Sequence, residues 1–226
     1  MMRIGTVMDN ALSGILRWPT DESKQWVAQF LNLAHADSNI VAVIAIGSAV
    51  RPNVPSADVD LLVIAEDPVL HTGNRPLEVD LRAYAVAEAN QQIANGNDML
   101  GWAIKFGRLL FQRDRYWTKV VESWRHRLPL PSAELARERA AGSHRRLATV
   151  SEFGDADAAR EQAGAYLTHL ARAALLENGV YPASRPELPS QLRKVGKHQL
   201  ADWLDGVLTM QVNEHKLIRE VMRLSA

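Results

Sequence analysis

The feature that most constrains the fold is the stretch IVAVIAIGSAVRPNVPSADVD in the first third of the chain. It opens with an unbroken apolar run, Ile40–Ile46, made mostly of Val and Ile, which predicts a β-strand buried on both faces. Gly47 and Ser48 end this run, and a loop containing two prolines follows. Asp58 and Asp60 then stand at the head of a second apolar run. Because this combination is rare in a stretch that only has to fold, we predict a functional site here.

The composition excludes several classes of protein. The 226 residues are 47% hydrophobic, which is enough for a globular core. Lys and Arg number 26, as do Asp and Glu, so no net charge would attract a nucleic acid or an anionic membrane. The absence of cysteine excludes disulfides, thiolate zinc sites and thiol catalysis. Since no signal peptide or bilayer-spanning run is recognisable, we expect a soluble, cytoplasmic protein.

Hydrophobic periodicity predicts strands in the first part of the chain and helices in the rest. A short helix is expected near Val7 to Leu16, and Thr20 should cap a longer one that ends near Ala36. The predicted strands are Ile40–Ile46, Asp58–Ala65 and Leu77–Ala85. Every later segment reads as helix, including residues 98–112, so no fourth strand is expected.

These elements predict an α+β fold with two domains. A small mixed β-sheet with flanking helices would form the first domain, residues 1–112, and an all-α helical bundle the second, residues 113–226. The composition changes near residue 86, where the strands end. The boundary could fall anywhere from there to about residue 115, since the helix that begins at Asp98 could pack against either domain.

Three aspartates are candidate metal ligands. Asp58 and Asp60 alternate along a strand, so their side chains share one face with Cα atoms about 6.6 Å apart. Such a pair can converge on one divalent cation or bridge two ions about 3.5–4 Å apart. Asp80 lies on the next predicted strand, and a hairpin-like pairing would bring it beside them. With only oxygen ligands on offer, the expected ion is Mg²⁺ or Mn²⁺.

The end of the first strand offers candidate phosphate ligands. A glycine at this point lets the backbone approach a ligand closely, and a helix beginning there would present free N–H groups. The Ser48 hydroxyl and the Arg51 guanidinium could add hydrogen bonds to a β- or γ-phosphate. Gly47, Ser48 and Arg51 are therefore the predicted nucleotide-binding residues.

This pattern resembles the signature of the DNA polymerase beta-like nucleotidyltransferase superfamily, in particular its small bacterial members. The matching residues are Gly47-Ser48, Asp58-Val59-Asp60-Leu61 and Val79-Asp80-Leu81. The resemblance implies that Asp58 and Asp60 bind both metal ions, that Asp80 binds the catalytic one and assists deprotonation of the attacking hydroxyl, and that Gly47 and Ser48 hold the triphosphate. The chain departs from the pattern at Pro52, where the family often has Gly, and at Ala57, where it commonly has Ser.

The helical half resembles the bundle of kanamycin nucleotidyltransferase-like proteins and of the HEPN superfamily. The segment AYLTHLARAALLENGVYP, residues 165–182, carries this resemblance. Arg139 with His144, and Arg193 with His198, match the Arg-x4-His pattern of HEPN ribonucleases. Such pairs also arise readily by chance in arginine-rich helices.

Together these observations predict a Mg²⁺-dependent nucleotidyltransferase. It would move a nucleoside monophosphate from an NTP co-substrate to a hydroxyl of a small-molecule acceptor, by a two-metal mechanism that releases pyrophosphate. Two alternatives stay open: an antitoxin-type enzyme that modifies a protein partner, and a non-catalytic nucleotide-binding protein. Ribonuclease activity of the bundle is a third. The sequence leaves open the acceptor, the base preference and the oligomeric state, a homodimer included.

Overall fold

The structure is a computed structural model that describes residues 12–52, 54–70 and 72–209. The chain divides into two compact units, Met1–Pro129 and Leu130–Ala226. The first unit holds a four-stranded mixed sheet with flanking helices, and the described part of the second is helical. The predicted α+β fold is therefore confirmed. Most of the short helix expected near the N terminus lies outside the described residues.

The first long helix, α1 (Asp21–Ala36), begins at the residue predicted to cap it. The Ser23 amide donates to Thr20 Oγ1 over 3.1 Å, and the Thr20 amide donates to Ser23 Oγ over 3.3 Å. This reciprocal capping satisfies amide groups that the first turn of a helix leaves without partners. The buried face of α1, with Val27 and Phe30, belongs to a core cluster on one side of the sheet.

The sheet has the order β3-β2-β1-β4, with β1 (Ile40–Ile46), β2 (Val59–Ala65), β3 (Val79–Ala85) and β4 (Arg108–Gln112). Strand β1 lies between β2 and β4, pairs antiparallel with both, and is buried at every residue. Its side chains alternate between two cores. Val43 and Ala45 join the cluster that contains α1, whereas Ala42 and Ile44 join a second cluster on the opposite face.

The expected hairpin-like pairing of β2 with β3 is wrong, because these strands run parallel from Val59↔Val79 to Ala65↔Ala85. The connection, residues 66–78, is long enough to carry the chain back to the end where β2 began. Hydrogen bonds attach this connection to α1 and to the residue before β1. Trp26 Nε1 donates to the Asn74 carbonyl over 3.0 Å, and the Asn39 side chain bonds both backbone groups of Asp67.

The prediction of one helix over residues 98–112 is also wrong. Helix α2 (Val86–Ala94) is followed by α3 (Asp98–Phe106), which stops at Gly107, and the chain then forms β4. Pairing with β1 buries Leu110 and Phe111. The next residue, Arg113, donates from Nε to the Ile40 carbonyl and from Nη2 to three carbonyls at the end of α1, namely those of Ala34, His35 and Asp37. These long-range contacts favour a strand over a longer helix.

The first unit also includes α4 (Tyr116–Trp124), where Trp117 and Val120 enter the second core cluster of the sheet. The division between units therefore falls between Pro129 and Leu130, whereas the sequence-based boundary follows Gln112. Helix α4 accounts for the difference, because it follows Gln112 and packs onto the sheet through Trp117 and Val120.

The second unit is a bundle of α5 (Ala133–Glu152), α6 (Ala156–Glu177), α7 (Leu188–Lys194) and α8 (His198–Leu208). Ser132 and Asp155 cap the two long helices, as predicted. Leu147, Leu167 and Leu188 are fully buried in their shared core. Across the described residues of both units, every helix is too short or too polar to cross a membrane.

Candidate functional site

The three predicted metal ligands lie at one edge of the sheet. Asp60 and Asp80 are direct partners in the parallel register of β2 and β3, and Asp58 immediately precedes β2. The antiparallel register places Ile46, the last residue of β1, opposite Asp60. Because β1 ends where β2 and β3 begin, the sheet also brings Gly47 to this edge.

Asp60 is in an unfavourable environment for an ionised carboxylate. Its carboxyl group has a pKa raised from the usual 3.8 to about 7, and partial burial is the largest cause. The negative charges of Asp58 and Asp80 contribute to this rise, while the positive charge of Arg82 opposes it. Nearby carboxylates thus repel one another at neutral pH, and a bound cation would relieve that repulsion.

Asp80 is engaged by a residue that sequence analysis did not select. Both Nε and Nη2 of Arg82 lie 3.1 Å from Asp80 Oδ2, and the two side chains are 61% and 40% exposed. An ion pair this exposed contributes about 1 kcal/mol or less. Asp80 and Arg82 share one face of β3 because they stand two residues apart, which is a signal that the sequence does contain.

The chemistry of these ligands fits a hard divalent cation, since all three offer carboxylate oxygens. Their present arrangement is not a closed cage. Within residues 12–52, 54–70 and 72–209, no group of three or more His, Asp or Glu side chains is placed to hold a metal ion. Binding of an ion by Asp58, Asp60 and Asp80 together therefore requires side-chain rearrangement, and Asp80 is the ligand that already has a partner.

Gly47, at the start of the turn, lies against the Asp60 carboxylate. Its φ of 78° and ψ of −161° lie in a region that is essentially restricted to glycine. A Cβ atom at this position would lie 2.1 Å from Asp60 Oδ2, well inside van der Waals contact. Both the backbone conformation and the neighbouring carboxylate thus require glycine here.

The turn that follows is shorter than an anion-binding helix. Ser48–Val50 form one 3-10 turn, which the Arg51 amide closes by donating to the Ser48 carbonyl over 3.0 Å. Arg51 is extended, with φ of −102° and ψ of 133°, because Pro52 disfavours a helical conformation in the residue before it. The sequence departure at Pro52 thus ends the turn.

Two predicted phosphate ligands contact residues that the sequence did not single out. Ser48 Oγ lies 2.8 Å from Ser56 Oγ, and Ser56 Oγ donates to the Asp58 carbonyl over 2.7 Å. The Arg51 guanidinium carbon lies 4.8 Å from the centre of the Phe106 ring at the end of α3. The sequence holds no signal for either contact, since Phe106 is distant in the chain and serines are common in loops.

The candidate ribonuclease pairs of the bundle do not form an evident site. His144 packs against Tyr166 with ring centres 5.1 Å apart, and its Nε2 is buried without a hydrogen-bond partner. Arg193 instead bonds Asp202 and Asp205 over 2.9 and 3.0 Å. His198, at the start of α8, is exposed. These contacts are those of helix packing and surface ion pairing.

Among solved structures, the chain is similar to the crystal structure of a nucleotidyltransferase-like protein from Exiguobacterium sibiricum 255-15. The two sequences are 20% identical, the TM-score is 0.43, and the match covers 88% of this chain and 71% of that one. No family model matches the sequence, and no curated protein matches it. We therefore infer the function from the side chains of the site and their contacts.

Proposed function

We propose that the protein is a nucleotidyltransferase that moves a nucleoside monophosphate from an NTP to a hydroxyl group and releases pyrophosphate. This proposal rests on one observation: the candidate metal ligands and the turn after β1 lie together at one edge of the sheet. Asp60 stands opposite Asp80 with Asp58 beside it, and Gly47 touches the Asp60 carboxylate. Candidate metal ligands and a candidate phosphate-binding turn are thus in direct contact.

The residues divide into two roles in this proposal. Gly47 allows the triphosphate to approach the backbone, while the Ser48 backbone amide and the Arg51 guanidinium donate hydrogen bonds to its oxygens. Asp58, Asp60 and Asp80 would hold Mg²⁺ or Mn²⁺, which when bound neutralises charge on the phosphates and on the attacking and leaving oxygens. The chain itself contributes the positioning, because the turn and the carboxylates are fixed to neighbouring strands.

We further propose a small molecule as the acceptor and the cytoplasm as the location. Equal numbers of basic and acidic residues, 26 of each, give no field that would draw in a polynucleotide. The chain contains no cysteine, which is compatible with a reducing compartment.

The test is nucleotide transfer from each of the four α-labelled NTPs with Mg²⁺ and a cell extract as the source of acceptors. We expect labelled small molecules and released pyrophosphate from the wild type. Asp58→Asn and Asp60→Asn should each lower the rate by about 10²–10³-fold, because each weakens the binding of the divalent ion that would neutralise charge in the transition state. Asp157→Asn is a matched control, since this aspartate is 88% exposed and pairs with Arg160 in the bundle.

Other outcomes separate the alternatives. Label on a polypeptide would assign the activity to protein modification, and binding of Mg²⁺–NTP without pyrophosphate release would indicate a non-catalytic nucleotide-binding protein. Full activity in the Asp58 or Asp60 variant would disprove the proposed site.

A further inference from the structure

Two serine hydroxyls connect the phosphate-binding turn to the first carboxylate. Ser48 Oγ and Ser56 Oγ are 2.8 Å apart, and Ser56 Oγ is 2.7 Å from the backbone carbonyl oxygen of Asp58. Ser56 is partly buried, whereas Asp58 is exposed. The chain of contacts therefore runs from the turn after β1, through the side chain of one loop residue, to the residue before β2.

The direction of these hydrogen bonds follows from the number of hydrogens available. A carbonyl oxygen can only accept, so the single hydroxyl hydrogen of Ser56 is donated to Asp58. Ser56 then has only lone pairs left for its neighbour. The hydrogen between the two serines must therefore come from Ser48, which donates to Ser56.

This pair of hydrogen bonds connects two parts of the site, Ser48 and Asp58, that a loop separates along the chain. The intervening loop contains Pro52 and Pro55, and residue 53 lies outside the described residues. Prolines supply no backbone N–H, so a loop containing them has fewer backbone donors with which to bond to its neighbours. A side-chain bridge at Ser56 compensates by fixing Ser48 relative to Asp58.

We propose that Ser56 is a positioning residue that ties the turn after β1, through the Ser48 side chain, to the backbone of Asp58 and so fixes the distance between them. This inference rests on the proposed function, because it treats that turn as part of the phosphate site. Ser56 would act through Ser48 and the Asp58 backbone and would not touch the nucleotide. Its contribution is preorganisation, since a fixed ligand loses less freedom when the triphosphate binds.

The experiment measures binding of Mg²⁺–tripolyphosphate, a probe without base or sugar, to the full-length protein by calorimetry. Ser56→Ala should raise the Kd about three- to tenfold, the effect of one lost hydrogen bond. Ser56→Thr keeps the hydroxyl and should restore binding. Ser123→Ala is the control, because Ser123 is an exposed serine of α4 whose hydroxyl accepts from Arg127.

A double-mutant cycle tests whether Ser56 acts through Ser48. In the Ser48→Ala background, adding Ser56→Ala should change the Kd less than twofold, because the partner is already absent. A purely structural role would instead give the same fold-change in both backgrounds, with a lower melting temperature of the free protein. Either that result, or unchanged or tighter binding in Ser56→Ala, overturns the inference.

The same data separate this inference from the proposed function. A wild type that binds the probe while Ser56→Ala binds it equally well refutes only the role of Ser56. A wild type that binds neither Mg²⁺–tripolyphosphate nor Mg²⁺–NTP refutes the proposed function, and the role of Ser56 with it.

Discussion

Asp60 in the first unit and Arg185 in the second are both charged side chains whose pKa is shifted by burial, but their neighbours differ. Burial raises the pKa of Asp60, and the like charges of Asp58 and Asp80 raise it further. Burial lowers the pKa of Arg185, and the opposite charge of Glu161 counteracts that change. The bundle thus supplies a compensating partner for Arg185, whereas at the sheet edge the like charges of Asp58 and Asp80 act on Asp60 and the positive charge of Arg82 offsets them only in part.

This difference indicates that the first unit, at the sheet edge, contains a carboxylate whose free-energy cost a bound cation would relieve. The Arg185 guanidinium packs closely over Gly164, and the opposite charge of Glu161 stabilises it there. A partly buried carboxylate such as that of Asp60, whose pKa is raised by burial and by neighbouring carboxylates, lowers the stability at neutral pH until a cation binds. Three measurements of the free energy of unfolding test the two units, and the largest expected effect comes first.

The largest effect is expected from the apolar core of the bundle. Leu167→Ala removes a fully buried side chain of α6 and should lower the free energy of unfolding by about 2–5 kcal/mol. Leu135→Ala is the control, because this leucine of α5 is 44% exposed and should cost less than about 1 kcal/mol. Urea titration measures both. Equal losses in the two variants would contradict the core assigned to the bundle.

The second effect is a dependence of stability on pH that originates in the sheet edge. Between the usual pKa of 3.8 and the folded pKa of about 7, Asp60 keeps its proton only in the folded state. The folded state then binds more protons, so stability falls as the pH rises through this window. The loss should be about 2 kcal/mol or more, with roughly 4 kcal/mol as the upper limit set by the shift.

Urea titrations of the ligand-free protein from about pH 4 to about pH 8 measure this loss. Asp60→Asn should remove most of it and should be more stable than the wild type at neutral pH. Asp157→Asn, in the exposed ion pair with Arg160, should keep the wild-type profile. If the dependence of the free energy of unfolding on pH is unchanged in Asp60→Asn, that dependence does not originate at Asp60.

The third effect compares one glycine from each unit. Gly47 and Gly179 have φ values of 78° and 72°, so alanine should cost each variant about 1–3 kcal/mol of stability through backbone strain. A Cβ at Gly47 would meet Asp60 Oδ2, whereas one at Gly179 would meet nothing within 4 Å. Gly47→Ala alone should therefore lose the thermal stabilisation by Mg²⁺–ATP, which is about 2.7 kcal/mol at 100 times the Kd.

Thermal unfolding with and without Mg²⁺–ATP gives both quantities for each variant. If Gly179→Ala also loses the response to nucleotide, the effect comes from strain in general and not from contact with Asp60. If Gly47→Ala keeps the response, the turn is not part of the nucleotide site.

Features with a local cause were predicted well. The Thr20 cap, the buried strand Ile40–Ile46 and the two capped helices of the bundle are confirmed, since each depends on residues a few positions apart. The fourth strand was missed because the pattern of residues 108–112 also fits the end of a helix. Only pairing with β1, and the four hydrogen bonds of Arg113 to distant carbonyls, favour the extended conformation.

The sequence alone determined that Asp58 and Asp60 belong to one short segment and that Gly47 and Ser48 follow a buried strand. Both relations join residues at most a few positions apart, so the local pattern is enough to predict them. Their roles in metal and nucleotide binding remain predictions.

Tertiary structure decided which groups these residues meet. The parallel register that sets Asp80 opposite Asp60, the contact of Gly47 with the Asp60 carboxylate and the hydrogen bond from Ser48 to Ser56 all join segments separated along the chain. Strand direction and register depend on the packing of the whole sheet, because several pairings satisfy the same local pattern. The sequence therefore supplies the residue types of the site, and only the fold brings them into contact.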